Sequence, residues 1–253
     1  FAGCAEAYIH SHGAEWRNVK HASQWRNTIK TYAYPFFGDL SVQVVDTGLV
    51  MKALEPIWTE KPETASRVRG RIEAVLNWAT AREYRQGENP ARWRGHLKEL
   101  LPAPAKVRKV KHHAALPYSE IGAFMAELRQ KEAVSAKGLE FLILTAARTG
   151  EVIDATWDEI DFAERMWTVP GERMKSDEEH RVPLSAAALE VLQVMNKVRK
   201  SDFIFPGNRA NRPLSNMAFL QLLKRMDRDD LTGHGFRSTF RDWAAEQTSF
   251  PNE

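Results

Sequence analysis

The sequence predicts a mainly α-helical protein with one small antiparallel β-sheet, divided into two domains. Apolar residues recur at helical spacing through most of the chain, whereas short strand-like runs occur only between residues 156 and 184. A basic, proline-containing stretch separates the two parts. We therefore expect a helical domain at 1–100, a linker at 101–117 and a mixed α/β domain at 118–253.

The composition is that of a globular chain suited to a reducing compartment. Of the 253 residues, 43% are hydrophobic and 27% charged, which is enough apolar material for one large or two ordinary domains. The single cysteine, Cys4, excludes a disulfide framework and a cysteine-based zinc site. No run is long and apolar enough for a membrane span, and no signal peptide is visible. The sequence begins inside one helical pattern and ends just after another, so we expect a fragment cut at both ends.

Positive charge is concentrated in the first half of the chain. Residues 1–113 hold 18 Lys and Arg against 11 Asp and Glu, a net charge of +7, whereas residues 114–253 hold 18 against 22, a net charge of −4. A basic first half that ends in a basic linker suggests a polyanion as partner. The alternative is that these cations only solvate a surface.

Four amphipathic helices are expected in the first domain. Their apolar residues recur every three to four positions, with almost no strand pattern between them. The expected ranges are 2–14, 21–36, 46–58 and 62–84. On the fourth helix Arg67, Arg69 and Arg71 crowd the first turns. This arginine density favours a DNA-facing surface, with an ordinary helical bundle as the alternative.

The linker combines prolines with uncompensated positive charge. Its three prolines rule out a regular helix across residues 101–117. The basic residues, which no acidic residue accompanies, are Lys106, Arg108, Lys109 and Lys111. Such a strap can lie along a phosphate backbone, where each contact adds salt-dependent affinity. A disordered, solvated linker is an equal alternative.

A strongly apolar helix is expected near the start of the second domain, over residues 136–149. It is hydrophobic nearly all round, which is typical of a central core helix, and it ends at Arg148 beside a glycine. A buried, unpaired arginine costs several kcal/mol, so Arg148 must be paired or must point at a ligand. Glu151 is the obvious partner, and a purely structural Arg148–Glu151 pair is the alternative to a ligand site.

A short β-hairpin with a polar tip is expected next. The strand-like runs are 156–162, 166–170 and 180–184. Lys175 lies near the end of the second run, from where it can reach away from the sheet and donate a proton. Lysines at hairpin tips are also common for solubility alone. Helices resume over residues 185–200 and 215–227.

The last helix carries a candidate anion site at its amino-terminal end. Thr232 is a suitable capping residue, and His234 and Arg237 lie three apart where the helix dipole already favours an anion. A single apolar stripe is expected to face a core and consists of Phe236, Phe240, Trp243 and Ala244. The pattern favours a phosphate site, and the alternative is a glycine-broken loop with an incidental surface His and Arg.

Taken together, these signals resemble a known family. Arg148 with Glu151, Lys175 on a hairpin, and His234 with Arg237 follow one another as they do in tyrosine recombinases of the phage and prophage integrase type. The stretches that carry the resemblance are TAARTGEV (145–152), MKSDEEHRVPLS (174–185) and GHGFRSTFRDWA (233–244). The resemblance implies a core-binding domain in the helical module and a truncated tyrosine-recombinase catalytic domain after the linker.

The resemblance also implies a mechanism. In this family a tyrosine attacks the scissile phosphate of DNA and forms a 3′-phosphotyrosyl intermediate, so neither ATP, a metal nor a cofactor is needed. By position, Arg148 and Arg237 hold the non-bridging oxygens, and His234 adds a hydrogen bond or moves the tyrosine proton. Lys175 is the general acid toward the leaving 5′-oxygen, and Glu151 orients the site. The implied partners are double-stranded DNA and, for the full-length protein, three further copies in a tetramer on DNA, within the bacterial cytoplasm and nucleoid.

The sequence departs from the family pattern in one respect. Family members place a further His or Trp and then the nucleophilic tyrosine after the H-x-x-R helix. All tyrosines of this chain precede Arg148: Tyr8, Tyr32, Tyr34, Tyr84 and Tyr118. We therefore expect a fragment that binds DNA without cleaving it. The rival interpretations are a type IB topoisomerase, against which the compact helical module argues, and a non-catalytic DNA-binding protein derived from an integrase.

Overall fold

The computed structural model of the protein describes residues 1–16, 19–107, 114–174 and 177–250. The predicted fold class is confirmed, because helices dominate and a single three-stranded antiparallel sheet accompanies them. The chain divides into two compact units, Phe1–Lys111 and His112–Glu253. No helix among the described residues is long and apolar enough to cross a membrane.

The first unit is a bundle of helices around a core of aliphatic and aromatic side chains. Its α-helices are α1 (Ala2–His12), α2 (Val19–Tyr32), α3 (Tyr34–Phe37), α4 (Thr47–Trp58), α5 (Pro62–Ala81), α6 (Lys98–Leu100) and α7 (Pro104–Val107). The Asp46 side chain caps α4 by accepting a hydrogen bond from the Leu49 amide at 2.8 Å. The predicted apolar stripe of α5, from Ala65 to Ala79, is fully buried.

A buried arginine fastens the turn that follows α5. Arg85 donates from Nε to the carbonyl of Val42 at 3.2 Å, from Nη1 to that of Glu88 at 2.8 Å and from Nη2 to that of Val45 at 3.2 Å. Burial lowers the pKa of its guanidinium below the ordinary value. One side chain therefore supplies hydrogen bonds to three carbonyls that the loops would otherwise bury without a donor.

The first unit extends further than the predicted boundary at residue 100. Leu101 is buried, and the Trp58 indole Nε1 donates to the Pro102 carbonyl at 2.8 Å. Pro104 opens the one-turn helix α7, whose Val107 packs against the core of this unit. Proline is tolerated at the first position of a helix, so the prolines exclude a helix across the linker but not a short one within it. The residues assigned to a linker thus include seven that belong to the first unit.

Among its described residues, the second unit combines six α-helices with the small sheet. Its elements are α8 (Ile121–Arg129), α9 (Val134–Thr145), α10 (Thr149–Ile153), β1 (Ile160–Asp161), β2 (Met166–Val169), β3 (His180–Pro183), α11 (Ala186–Lys197), α12 (Ala218–Arg225) and α13 (Gly235–Gln247). The strands pair in chain order, with Trp167 of β2 opposite Ile160 of β1 and Val182 of β3. Trp167 is fully buried, and its ring lies 5.2 Å from that of Phe141.

Helix α9 is the core helix that its apolar sequence predicted. It packs against α8, α11 and α12, and a Cβ at Gly138 would lie 3.0 Å from the Phe219 ring, so glycine permits this close approach. The helix ends at Thr145, four residues before the expected end, because Ala146 adopts a left-handed conformation with φ of 50°. The chain then turns directly into α10.

Candidate active site

The turn between α9 and α10 presents Arg148 at a fixed point on the surface of the second unit. Glu151 is buried, and its carboxylate accepts hydrogen bonds from the Arg148 backbone N–H at 2.8 Å and from Arg148 Nη1 at 2.6 Å. The predicted ion pair therefore exists and also caps the short helix α10. The Arg148 side chain nevertheless remains 53% exposed, which leaves guanidinium donors available to a ligand.

Arg237 comes from the last helix of the second unit and reaches the turn that carries Arg148. It lies in the first turn of α13, and its Nη1 donates to the carbonyl of Ala146, two residues before Arg148. Burial lowers the pKa of the Arg237 guanidinium, the charge of Arg148 lowers it further, and Glu151 acts in the opposite direction. The hydrogen bond to Ala146 thus brings Arg237 to the turn that carries Arg148.

Two glycines allow the start of α13 to pack tightly against neighbouring segments. A Cβ at Gly233 would lie 3.0 Å from Thr149 Oγ1, and one at Gly235 would lie 2.2 Å from the Ala114 carbonyl oxygen. The Thr232 hydroxyl accepts a hydrogen bond from the Gly235 N–H at 3.1 Å, but the N-cap of α13 is His234, so the expected cap lies two residues too early. His234 is held between these glycines and is exposed at the amino-terminal end of α13.

We expect Gly235→Ala to lower the free energy of unfolding of the second unit by about 1–3 kcal/mol, because the added methyl group meets backbone rather than a movable side chain. Gly150→Ala, in α10, is the matched control. No atom lies within 4 Å of its added Cβ, so the helix should gain up to about 1 kcal/mol. Urea denaturation of both variants tests this, and equal midpoints would contradict it.

The predicted apolar stripe of α13 faces the core only in its first turn. Phe236 is buried, whereas Phe240 is 49% and Trp243 41% exposed, so the expectation is wrong for the later turns. The helix instead packs through Gly235 and Thr239 against the segment 114–118, where the Thr239 hydroxyl donates to the Leu116 carbonyl at 2.6 Å. This packing rotates the buried face of the helix away from the most apolar one.

The arginines of α5 do not share one surface. Successive helical residues are about 100° apart, so Arg67 and Arg71 lie on one side and Arg69 on nearly the opposite side. Arg67 is exposed and paired with Glu63 at 2.5 Å. Arg71 donates to the Gln24 carbonyl at 2.9 Å and lies over the Trp25 ring.

The Arg69 side chain makes its contacts within the first unit. It pairs with Glu73 at 2.5 Å, donates to the Ala91 carbonyl at 3.0 Å and lies over the Trp93 ring. Of the basic linker residues only Lys106 is described, and it is exposed on α7. The remaining proposed contacts lie outside the described residues, namely Lys175, Arg108, Lys109 and Lys111.

The structure also shows a polar network that the sequence did not indicate. Glu159 is buried, and its carboxylate accepts hydrogen bonds from the Trp167 Nε1–H at 2.8 Å and from Arg173. Arg173 Nη2 also donates to the Glu151 carbonyl at 2.7 Å. The pairing of residue 160 with residue 167 brings Glu159 beside Trp167, so the register of the sheet was the information needed to find it.

Chemically, the turn between α9 and α10 and the start of α13 carry side-chain donors that can bind an anion. Arg148 and Arg237 each present a planar fork, and the His234 imidazole lies at a helix amino terminus, where negative charge is favoured. Among the described residues no group of three or more His, Cys, Asp or Glu side chains is arranged to hold a metal ion. The arrangement suits an oxyanion with several equivalent oxygens, such as a phosphodiester.

Sequence comparisons match both units to one family. The family model described as the phage integrase central domain matches residues 1–96, and that of the phage integrase family matches residues 115–249. Prophage integrase IntZ of Escherichia coli (strain K12) is 32% identical over 243 residues, which cover 95% of this chain and 58% of that protein. The integrase of Enterobacteria phage P4 is 26% identical over 252 residues, covering 92% of this chain and 55% of that protein. The chain thus spans just over half the length of these relatives.

The fold agrees with this relationship. A structure of a lambda integrase tetramer bound to a Holliday junction superposes with a TM-score of 0.76, covering 98% of this chain and 74% of that one at 14% identity. The chain therefore shares the fold of that integrase. From the two family matches and from this fold we conclude that the chain belongs to the phage integrase family.

Proposed function

We propose that residues 1–253 form the DNA-binding part and most of the catalytic part of an integrase that performs site-specific recombination as a tyrosine recombinase. The observation that carries this proposal is the convergence of Arg148 and Arg237: Arg237 lies in α13, yet its Nη1 donates to the carbonyl of Ala146, two residues before Arg148. A bound anion offsets the repulsion between two cations held in one place, and the scissile phosphate of DNA is such an anion.

In the proposed reaction a tyrosine oxygen attacks phosphorus and the bond to the 5′-oxygen breaks, which leaves a 3′-phosphotyrosyl link and a free 5′-hydroxyl. Arg148 and Arg237 stabilise the charge that builds on the non-bridging oxygens, an effect worth on the order of 10²–10³ in rate for one such donor. His234 donates a hydrogen bond or moves a proton, and Lys175 protonates the leaving oxygen. Glu151 acts through Arg148, which it caps and pairs.

We further propose that none of the five tyrosines of this chain is the nucleophile. Tyr8, Tyr32, Tyr34 and Tyr84 belong to the unit that matches the central domain. The Tyr118 hydroxyl donates to Glu246 at 2.9 Å, and this bond raises its pKa above the ordinary value, which disfavours the phenolate. Glu246 lies nine residues beyond Arg237, roughly 13 Å along the helix axis. The proposal is therefore that residues 1–253 bind DNA without cutting it.

A nicked suicide duplex should give no covalent adduct with residues 1–253. The duplex would carry a binding sequence that this chain has first selected from a randomised pool, since the sequence itself does not specify the target. Denaturing electrophoresis and mass spectrometry of the mixture detect a phosphotyrosyl link. An adduct that maps to one of the five tyrosines would overturn the assignment of the site, and Tyr118→Phe would show whether Tyr118 forms it.

The affinity for that duplex should depend strongly on salt and on the two arginines. Arg148→Ala and Arg237→Ala are each expected to raise Kd about tenfold or more, because each removes charge-assisted hydrogen bonds to a phosphate. Lys111→Ala should instead lower the slope of log Kd against log salt by about 1, as expected for one phosphate contact. Fluorescence anisotropy at several salt concentrations measures both quantities.

The control for these variants is Arg228→Ala. Arg228 pairs with Asp230 at 3.1 Å, so its charge is already matched by a carboxylate. We expect no change in Kd for this variant. If all three arginine variants behaved alike, binding would depend on total charge and not on the Arg148–Arg237 site.

For the whole protein we propose a tetramer on DNA in the bacterial cytoplasm, like the lambda integrase tetramer seen on a Holliday junction.

A further inference from the structure

We propose that Arg173 is a positioning residue for Arg148 and that it acts through the main chain of Glu151, with Glu159 as its buried counter-ion. The inference rests on the proposed function, because it assigns a role to a residue that supports the same phosphate site. Arg173 donates to Glu159 and to the Glu151 carbonyl, so its proposed effect on Arg148 passes through Glu151.

The Arg173 guanidinium is held in two directions at once. Nη1 donates to Glu159 Oε1, and Nη2 donates to the Glu151 carbonyl at 2.7 Å. The side chain is largely buried, with 22% of its surface exposed. A planar fork of donors can satisfy both acceptors in one fixed orientation, which a lysine ammonium on its flexible stem does not do as well.

Glu159 fixes Arg173 to the core. Its side chain is only 5% exposed, and its second oxygen accepts the Trp167 Nε1–H at 2.8 Å. Trp167 is fully buried in β2 against Phe141 of the core helix α9. The position of the carboxylate is therefore set by the sheet and the core helix, and Arg173 transmits that position to α10.

Helix α10 depends on this support. It has five residues, and the last four carbonyls of any helix lack an intrahelical donor, so the Glu151 carbonyl is available to Arg173. A single turn is not stable without tertiary contacts. The same residue, Glu151, holds Arg148 through its carboxylate at 2.6 Å. Arg173 thus holds the main chain of Glu151, and the side chain of Glu151 orients Arg148.

A double-mutant cycle separates this role from a purely structural one. Kd for the selected duplex is measured for the unchanged protein, Arg148→Ala, Arg173→Lys and the double variant, all below the onset of thermal unfolding. Arg173→Lys keeps a cation beside Glu159 and removes the fork. If Arg173 positions Arg148, the rise in Kd caused by Arg148→Ala should be smaller in the Arg173→Lys background by a factor of about three or more.

Arg129→Lys provides the matched control. Arg129 pairs with another buried carboxylate, Glu140, whose side chain is also 5% exposed, at 2.6 Å. The fold-changes in Kd caused by Arg129→Lys and by Arg148→Ala should be independent, so that the double variant shows their product to within about twofold. Should Arg173→Lys fail to fold, the pair Glu159→Gln with Arg173→Gln replaces it, since two amides leave no buried unpaired charge.

The outcomes are distinct. Coupling with Arg173→Lys and none with Arg129→Lys supports the positioning role. Equal fold-changes of Arg148→Ala in both backgrounds overturn it, whatever Arg173→Lys does to the melting temperature, and leave the proposed function standing. If Arg148→Ala does not change Kd in the unchanged protein, the phosphate site itself is wrong and the role of Arg173 falls with it.

Discussion

Trp167→Ala should lower the free energy of unfolding of the second unit by about 3–5 kcal/mol, the usual range for truncating a buried aromatic side chain. Trp167 is fully buried in the central strand and lies against Phe141. The substitution also removes the indole N–H that Glu159 accepts, which leaves a buried carboxylate oxygen without a donor and adds about 1 kcal/mol or more. Hydrogen exchange in increasing urea, read on peptides of the second unit, measures the loss.

Trp167→Phe is the control that divides this effect into its parts. Phenylalanine keeps most of the apolar contact with the core and removes only the N–H donor. We expect Trp167→Phe to lower the free energy of unfolding by less than half as much as Trp167→Ala does. If Glu159 no longer fixes Arg173 in this variant, DNA binding should also be weaker. Equal losses for the two substitutions would mean that the hydrogen bond to Glu159, and not the cavity, dominates.

Arg85→Ala is expected to destabilise the first unit by about 3 kcal/mol, because it removes the donor of the buried carbonyl oxygens of Val42 and Val45 and of the partly buried one of Glu88. No hydrophobic replacement restores these bonds, so Arg85→Met should be nearly as damaging. Peptides from residues 19–81 report the change by hydrogen exchange. Arg82→Ala is the control, since Arg82 is exposed and only lies over the Trp78 ring. A result in which Arg82→Ala and Arg85→Ala cost the same would contradict the role assigned to Arg85.

Periodicity predicted the elements of this fold well, because helical spacing of apolar residues is a local property. The buried stripe of α5 and the apolar core helix α9 follow directly from it. Local patterns also placed Arg148, Glu151 and Arg237 in the correct contexts, at the ends of helices. Periodicity does not show which side of a helix is covered by neighbouring elements. For that reason Phe240 and Trp243 were expected to be buried and are exposed.

Features that depend on contacts between distant residues were missed for the same reason. Besides Glu73 of the same helix, Arg69 contacts Ala91 and Trp93 from a later segment, so its inward direction is not visible in a helix read alone. The left-handed turn at Ala146 is unusual for alanine and has no local sequence signal. The network of Glu159 and Arg173 appears only once the register of the sheet is known. These are the contacts that place the candidate site residues.

The packing of residues 114–118 along α13 decides where the second unit can be cut for separate study. A piece starting at residue 118, the boundary that the sequence suggested, would lack Leu116, which is 1% exposed in the core. It would also remove the Leu116 carbonyl, to which the Thr239 hydroxyl donates at 2.6 Å, and the Ala114 backbone that lies against Gly235. We expect such a truncated protein to lose the packing that positions α13 and Arg237. The resulting loss of DNA binding would then be wrongly taken to show that the first unit alone binds DNA. A start at or before residue 114 avoids that error.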